Sequence, residues 1–240
     1  MNLTLDIGNT QSKLAVFNNS LVVVKTFDSE FINDEIDDFL LLYPSIKNLI
    51  VCSVTDITLN LEKYNFNNVH FVSSSSNIPF ENLYLSKDSL GNDRIALVSS
   101  ASISYPGKNV LIIDAGSCIT YDFINDKNQY LGGAISPGLK MRYKSLNEFT
   151  SKLPLVSLES SDKLIANQTI DSINVGVANG VVFEIEGFVR QYLSEYDNLT
   201  VILTGGNSDF LSNQLKISIF ANQNFLLEGL NNLIKLNISS

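Results

Sequence analysis

Residues Leu3–Phe17, LTLDIGNTQSKLAVF, join two apolar runs through an abruptly polar turn. Leu3 and Leu5 alternate with Thr4, which is the period of a strand. Gly8 and Asn9 are turn residues, and glycine takes positive φ without steric cost. Leu14, Val16 and Phe17 resume as a second strand, so the stretch predicts a hairpin. Two readings of its turn stand side by side. Gly-Asn turns close many hairpins that carry no chemistry. Alternatively the turn is a phosphate cradle, in which backbone N–H groups, the Thr10 and Ser12 hydroxyls and Lys13 all donate to phosphate oxygens. Asp6, at the end of the first strand, would then orient a hydrated magnesium ion, which binds few carboxylates and keeps its waters. The turn lacks the Gly-Lys-Ser/Thr run that opens the helix of a P-loop.

A second stretch, VLIIDAGSCITYDFIN at Val110–Asn125, repeats the pattern. Leu111, Ile112 and Ile113 read as a strand ended by Asp114, Ala115-Gly116-Ser117 as the turn, and Ile119, Tyr121 and Phe123 as the next strand. Asp114 corresponds to Asp6, Gly116 to Gly8 and Ser117 to Asn9. Such an internal duplication predicts two related lobes whose turns face each other and hold a nucleotide's phosphates and a cation.

The rest of the chain fits two α/β lobes, assigned to residues 1–105 and 106–240. In the first, three antiparallel strands near Leu3, Leu14 and Leu21 precede a helix over Asp34–Leu42 with Ile36, Phe39 and Leu40 on its apolar face. Strands at Asn48–Val54 and Val69–Val72 flank a short helix near Leu59, and Asp93–Tyr105 reads as a helix. The second lobe repeats the three-strand start at Val110, Ser117 and Tyr130. Helices follow at Gly138–Phe149 and Asp171–Tyr196, then a strand at Leu199–Leu203 and helices near Asp209 and Asn224. No Pro- or Gly-rich linker separates the halves, so the expected active site is the cleft between closely packed lobes.

Composition narrows the function. The 240 residues are 45% hydrophobic, enough for a sizeable core, and the net charge of −9 opposes general binding to nucleic acid or an anionic membrane. Cys52 and Cys118 lie in apolar runs and read as buried free thiols of a reducing compartment. His70 is the single histidine, and with no cysteine cluster it reads as structural. Asp6 falls too early for a signal peptide and no apolar run is long enough to span a bilayer, which predicts a cytoplasmic protein.

Further motifs sit on this frame. LTGGN, Leu203–Asn207, ends a late strand with two glycines, either as a plain tight turn or to let the backbone approach a base or ribose. In LGNDRIAL, Leu90–Leu97, Asp93 and Arg94 fall at a helix start. Asp93 reads as a helix cap, or as the acceptor of a substrate hydroxyl proton beside an Arg94 that binds a substrate carboxylate.

DIGNT at Asp6–Thr10, GNDR at Gly91–Arg94, DAGSCIT at Asp114–Thr120, GGAISPG at Gly132–Gly138 and LTGGN occur in the order seen in type III pantothenate kinases, and the chain resembles that family over nearly its whole length. The first motif is shared across the acetate and sugar kinase, Hsp70 and actin superfamily; GNDR with GGAISPG is much more specific. The resemblance implies an α/β fold of duplicated ribonuclease-H-like lobes with mixed sheets and a cleft between them. It implies ATP-dependent phosphorylation of pantothenate, the first step toward coenzyme A, by a homodimer using Mg2+ and a monovalent cation, K+ or NH4+. Carried over by motif, Asp6, Gly8, Asn9, Thr10, Gln11, Ser12 and Lys13 would bind ATP, with Ser117 as a further ATP contact. Asp93 would be the proton acceptor. Tyr84, Gly91, Asn92, Asp93, Arg94 and Thr169 would contact pantothenate, and Asp114 the monovalent cation. The family usually has Thr at Ser117, which keeps the hydroxyl, and a small residue at Cys118. Two other readings are a kinase of another small alcohol or sugar and a non-catalytic nucleotide-binding regulator; Asp6, Asp93 and Asp114 together argue against the latter.

Overall fold

Strand β1 (Asn2–Ile7) pairs antiparallel with β2 (Gln11–Asn18), and β2 with β3 (Ser20–Asp28), in a computed structural model that describes residues 1–9, 11–55, 59–161 and 163–238. The register sets Leu3 opposite Val16 and Leu5 opposite Leu14, so one face of the hairpin is apolar. Helix α1 (Ile32–Leu42) covers that face with Ile32, Ile36 and Phe39, spaced for one stripe of a helix. Leu40, expected on the same stripe, is only half-buried. Truncating Ile36, fully buried here, to Ala would cost about 2–5 kcal/mol.

Strands β4 (Asn48–Ser53) and β5 (Asn68–Phe71) extend the sheet in parallel, giving the order β3-β2-β1-β4-β5. Asn2, Asn48 and Asn68 stand in register at the start of the three parallel strands. Their amides form a ladder, Asn68 Nδ2 donating to Asn48 Oδ1 and Asn48 Nδ2 to Asn2 Oδ1, each at 2.9 Å. This side-chain chain fixes register where backbone pairing begins. The short helix expected near Leu59 is absent from the described residues there: 59–64 form a loop and turn, with residues 56–58 outside the described set. Leu59, Leu61 and Tyr64 instead pack on the core of α1 from this loop and turn.

After β6 (Glu81–Asn82) comes α2 (Asn92–Ser104), buried along almost its whole length. Ser99 Oγ donates to the Ile95 carbonyl at 2.7 Å and Ser102 Oγ to Asn128 Oδ1 at 2.6 Å, which satisfies these two buried hydroxyls.

The second unit repeats the plan. Strands β7 (Val110–Ala115), β8 (Cys118–Ile124) and β9 (Gln129–Pro137) lead into α3 (Leu139–Glu148). Helix α4 (Thr169–Asn174) runs through a π turn at Val175–Asn179 into α5 (Gly180–Glu195), and β10 (Thr200–Thr204), α6 (Ser208–Ser212) and β11 (Phe220–Ala221) follow. The sheet order is β11-β10-β7-β8-β9-β6, with β10 parallel to β7 and β6 parallel to β9. Val181, Ile185 and Val189 place the apolar stripe of α5 on Leu111, Ile113, Tyr121 and Phe123.

The last helix, α7 (Phe225–Asn237), belongs with the first unit, packing on β1, β4 and α2; Gly229 lies against the Ala96 carbonyl and Ser100. Asn231 of α7 accepts from Asn2 and ends the asparagine ladder. The two units are therefore 1–107 with 124–132 and 224–240, and 108–123 with 133–223, whereas the sequence reading divided the chain once, after residue 105. Both cysteines are free thiols; Cys52 is buried as expected, while Cys118 is only half-buried, at the first position of β8. Among the described residues no helix is long and apolar enough to cross a membrane.

Candidate active site

In the first unit the turn after β1 is closed by the Gly8 N–H, which donates to the Gln11 carbonyl at 3.2 Å. Asp6 and Lys13 face each other across the β1–β2 ladder, on the side of the sheet opposite the α1 core. Ser12 pairs with Ile7 on the other side, is fully buried, and shares a 2.8 Å hydrogen bond with Ser29. The structure thus separates the Ser12 hydroxyl from Lys13. Asn9 and Gln11 are exposed at the turn, and Thr10 lies outside the described residues.

The start of α2 completes this corner. Asn92 Nδ2 donates to the Ser53 carbonyl at the end of β4 at 3.2 Å, which ties the helix to the C-terminal ends of the parallel strands. Asp93 Oδ1 accepts the Arg94 N–H at 2.8 Å, in the first helical turn where backbone donors and the helix dipole favour a carboxylate. Asp6 feels the consequences. Burial pushes its carboxyl up to about 7, Lys13 opposes that shift, and Asp93 adds to it. The Cys52 thiol, beside Asp6 in the parallel register, is pushed up by burial, then by Asp6 and Asp93, and stays protonated.

Arg94 is almost completely buried, and its guanidinium lies over the Tyr84 ring at 5.5 Å. Tyr84 stacks in turn on Tyr130, with ring centroids 5.9 Å apart. Gly91 immediately precedes α2 and lies against the Asp93 carboxylate. The structure therefore brings Asp6, Lys13, Gly91, Asn92 and Asp93 to one end of the first sheet, and Tyr84 to Arg94.

In the second unit the Asp114–Ser117 turn is enclosed by two later motifs. Gly205, at φ +91°, places its backbone against Asp114 Oδ1 and Ala115, where a Cβ would collide. Asn207 then bonds the Ala115 carbonyl twice, through its backbone N–H at 3.0 Å and its Nδ2 at 3.1 Å. From the other side Gly138 donates its N–H to the Ser117 carbonyl at 3.1 Å, and a Cβ there would overlap the carbonyls of Gly116 and Ser117. A cavity of about 450 Å³ opens beside Asn207, lined also by Leu139, Tyr143 and Lys144. Thr169 is exposed on a different cavity of about 700 Å³, with Gln168, Ser172 and Gly176, and is not gathered around Asp114.

Sequence reasoning missed one polar cluster, made by Tyr121, Ser136, Arg142 and Glu184. Its signal was Glu184, an acid inside the apolar run VVFEIEGFV. Among the described residues no group of three or more His, Cys, Asp and Glu side chains is arranged to hold a metal ion.

A duplicated strand–Asp-turn–strand unit, carrying acids and a lysine at the sheet end, defines an actin-like ATPase fold of the kinase type. Component A of (R)-2-hydroxyglutaryl-CoA dehydratase from Acidaminococcus fermentans shares this fold, at a TM-score of 0.51 and 11% identity over 97% of this chain and 95% of that one. Residues 2–191 match the family described as type III pantothenate kinase. The type III pantothenate kinase of Christiangramia forsetii is 47% identical over 240 residues, 99% of each chain, and that of Flavobacterium johnsoniae 45% over 235 residues, 96% of each. The chain belongs to the type III pantothenate kinases.

Proposed function

We propose that this kinase activates the acceptor hydroxyl with Asp93 and holds the nucleotide's phosphates with the turn from Asp6 to Lys13. The reaction is that of the family to which the chain belongs: phosphorylation of pantothenate by ATP to 4'-phosphopantothenate, which opens coenzyme A biosynthesis. The observation that carries the residue assignment is the corner where Lys13, Asp6 and Asp93 meet at the ends of β1, β2 and α2.

Phosphoryl transfer demands positioning and charge neutralisation more than covalent chemistry, because its transition state spreads charge over the transferred oxygens. Lys13 and the turn's backbone donors supply positive charge to those oxygens. Asp93 takes the proton of the attacking alcohol. Arg94, its guanidinium backed by Tyr84, draws the acceptor's carboxylate toward an otherwise acidic chain. In the second unit Ser117 offers a hydroxyl to the nucleotide, and Thr169 contacts pantothenate from its own cavity.

The donor set suits hard cations. Asp6 is an acid that burial and Asp93 drive toward neutrality, so a nearby cation would restore its charge. Asp114 is a single carboxylate with the backbone of Gly205 and Gly116 close against it, and one carboxylate suits a monovalent ion of modest field. Asp6 would orient Mg2+ carried with ATP and Asp114 would hold K+ or NH4+. The cations supply neutralisation of phosphate charge when bound. We infer a homodimer working in the cytoplasm, with pantothenate and ATP as its substrates and neither nucleic acid nor a membrane as a partner.

The test is ADP release coupled to a reporter, with pantothenate compared against a panel of sugars and small alcohols. Turnover with pantothenate alone is expected. Faster turnover on a sugar would reassign the acceptor, and no turnover on any acceptor would favour a regulator.

A further inference from the structure

Glu184 collects three donors from three other elements. Its Oε1 accepts from the Ser136 hydroxyl of β9 at 2.6 Å and from the Tyr121 hydroxyl of β8 at 2.9 Å, and its Oε2 from Arg142 Nη2 of α3 at 2.5 Å. Arg142 also reaches the backbone, its Nε donating to the Pro137 carbonyl at 2.7 Å. One carboxylate and one guanidinium thus grip the side chain of Ser136 and the carbonyl of Pro137, the two residues before Gly138. Gly138 in turn donates to the Ser117 carbonyl and presses on Gly116 and Ser117 too closely for any Cβ. Contact is continuous from Glu184 through Arg142 and the Pro137-Gly138 junction to the Ser117 turn.

We propose that Glu184 and Arg142 are positioning residues for the nucleotide, holding the Ser136–Gly138 junction so that the Ser117 turn keeps the form that receives ATP. This rests on the reading that Ser117 contacts ATP.

The chemistry of the cluster favours a permanent brace. Burial raises the Tyr121 hydroxyl, so it remains a donor. Burial also works against the Glu184 charge, but hydrogen bonds from Ser136, Arg142 and Tyr121 outweigh it and hold the carboxyl below its ordinary range. Both partners of the ion pair are about three-quarters shielded from solvent, whereas in the Arg190–Glu186 pair of α5 the arginine is mostly exposed and only the glutamate is shielded. An ion pair serving only to join α3 to α5 would not need to bond the Pro137 carbonyl and Ser136 hydroxyl as well.

The experiment measures both KM values, kcat and ADP binding by calorimetry for wild type, Glu184→Gln, Arg142→Lys and Arg190→Ala. Glu184→Gln keeps the shape and loses the charge. It is expected to raise KM for ATP and weaken ADP binding by roughly tenfold, the size of one charge-assisted hydrogen bond, while KM for pantothenate stays within about twofold. Arg142→Lys keeps the charge but loses the fork that bonds Pro137 and Glu184 together, and is expected to fall between wild type and Glu184→Gln. Arg190→Ala, which removes an α5 ion pair whose arginine is exposed and which does not touch the Ser136–Gly138 junction, is expected to match wild type. Equal rises in both KM values, or lowered thermal stability with ATP and ADP binding unchanged, would overturn the proposal. Should Glu184→Gln fail to fold, Arg142→Lys carries the same test. If wild type binds ADP but does not phosphorylate pantothenate, the functional reading falls, and the ADP affinities still decide the positioning role; wild type that binds no ADP overturns both.

Discussion

The two copies of the strand–Asp-turn–strand unit place the same acid in opposite company. In the first copy Asp6 stands across the ladder from Lys13, and Asp93 arrives from the start of α2. In the second copy Asp114 is hemmed by glycine backbone, Gly205 above all, and its turn is braced by Asn207 and Gly138. A lysine and a second acid make a corner suited to moving charge: phosphates on the cation, a proton on the acid. Glycine backbone and carbonyl oxygens make a corner suited to close approach by an ion or a ligand edge. Duplication supplied one geometry twice, and the residues pressed against each copy gave it separate work.

The sharpest way to break this contrast is Asp93→Asn. If the first copy carries the proton transfer, turnover falls by roughly 10²–10⁴-fold while ATP still binds. Steady-state kinetics alongside nucleotide calorimetry would show it, and near-normal turnover in a folded variant would remove Asp93 from the role.

Next in size is Lys13→Ala, which strips the first copy of its cation. ATP affinity is expected to fall by about 10–100-fold, the range for a hydrogen bond to a charged group. Calorimetric titration measures it, and an unchanged affinity would leave Lys13 a solvated strand residue.

Asp114→Asn probes the other copy. Wild-type turnover is expected to rise several-fold as K+ or NH4+ replaces a bulky organic cation at equal ionic strength, and the variant to respond less. Equal wild-type rates without K+ or NH4+ would mean that Asp114 only braces its turn.

The smallest effect is on stability. Asp6 titrates at about 7 in the fold against 3.8 as its ordinary value. Between those values the folded chain binds more protons than the unfolded one, so the contribution of Asp6 declines as pH rises from about 4 and is lost by pH 7–8. The shift sets a ceiling of about 4 kcal/mol, which solvent at this half-buried group reduces. Wild-type melting temperature is therefore expected to fall with rising pH by a few degrees more than that of Asp6→Asn. Parallel curves for the two proteins would show that Asp6 keeps an ordinary carboxyl.

Much of this was legible in the residues. The hairpins announced themselves because alternation and Gly turns are local properties, and the Ile36–Phe39 stripe of α1 because helical spacing is. The repeat of Asp-x-Gly after two strands pointed to duplication. GNDR and GGAISPG carried the family. These signals depend on neighbours within a few positions, which a linear chain displays directly.

Other features depended on which distant residues came to touch. The pattern of β2 does not say that Ser12 turns away from Lys13 to meet Ser29, because strand faces acquire meaning only when α1 covers one of them. A short helix is the expectation near Leu59, yet Leu59, Leu61 and Tyr64 pack on the α1 core from a loop and turn. The last helix returns to the first unit because Gly229 lets it approach Ala96, a fit invisible until both backbones are placed. Glu184 is one acid within an apolar helical run that sequence reasoning passed over, and its role comes from Ser136, Arg142 and Tyr121 converging from three other elements. Local periodicity and motif order were determined by the sequence alone. Charge placement, burial and bracing are sums over contacts between remote segments, and those sums exist only in the tertiary structure.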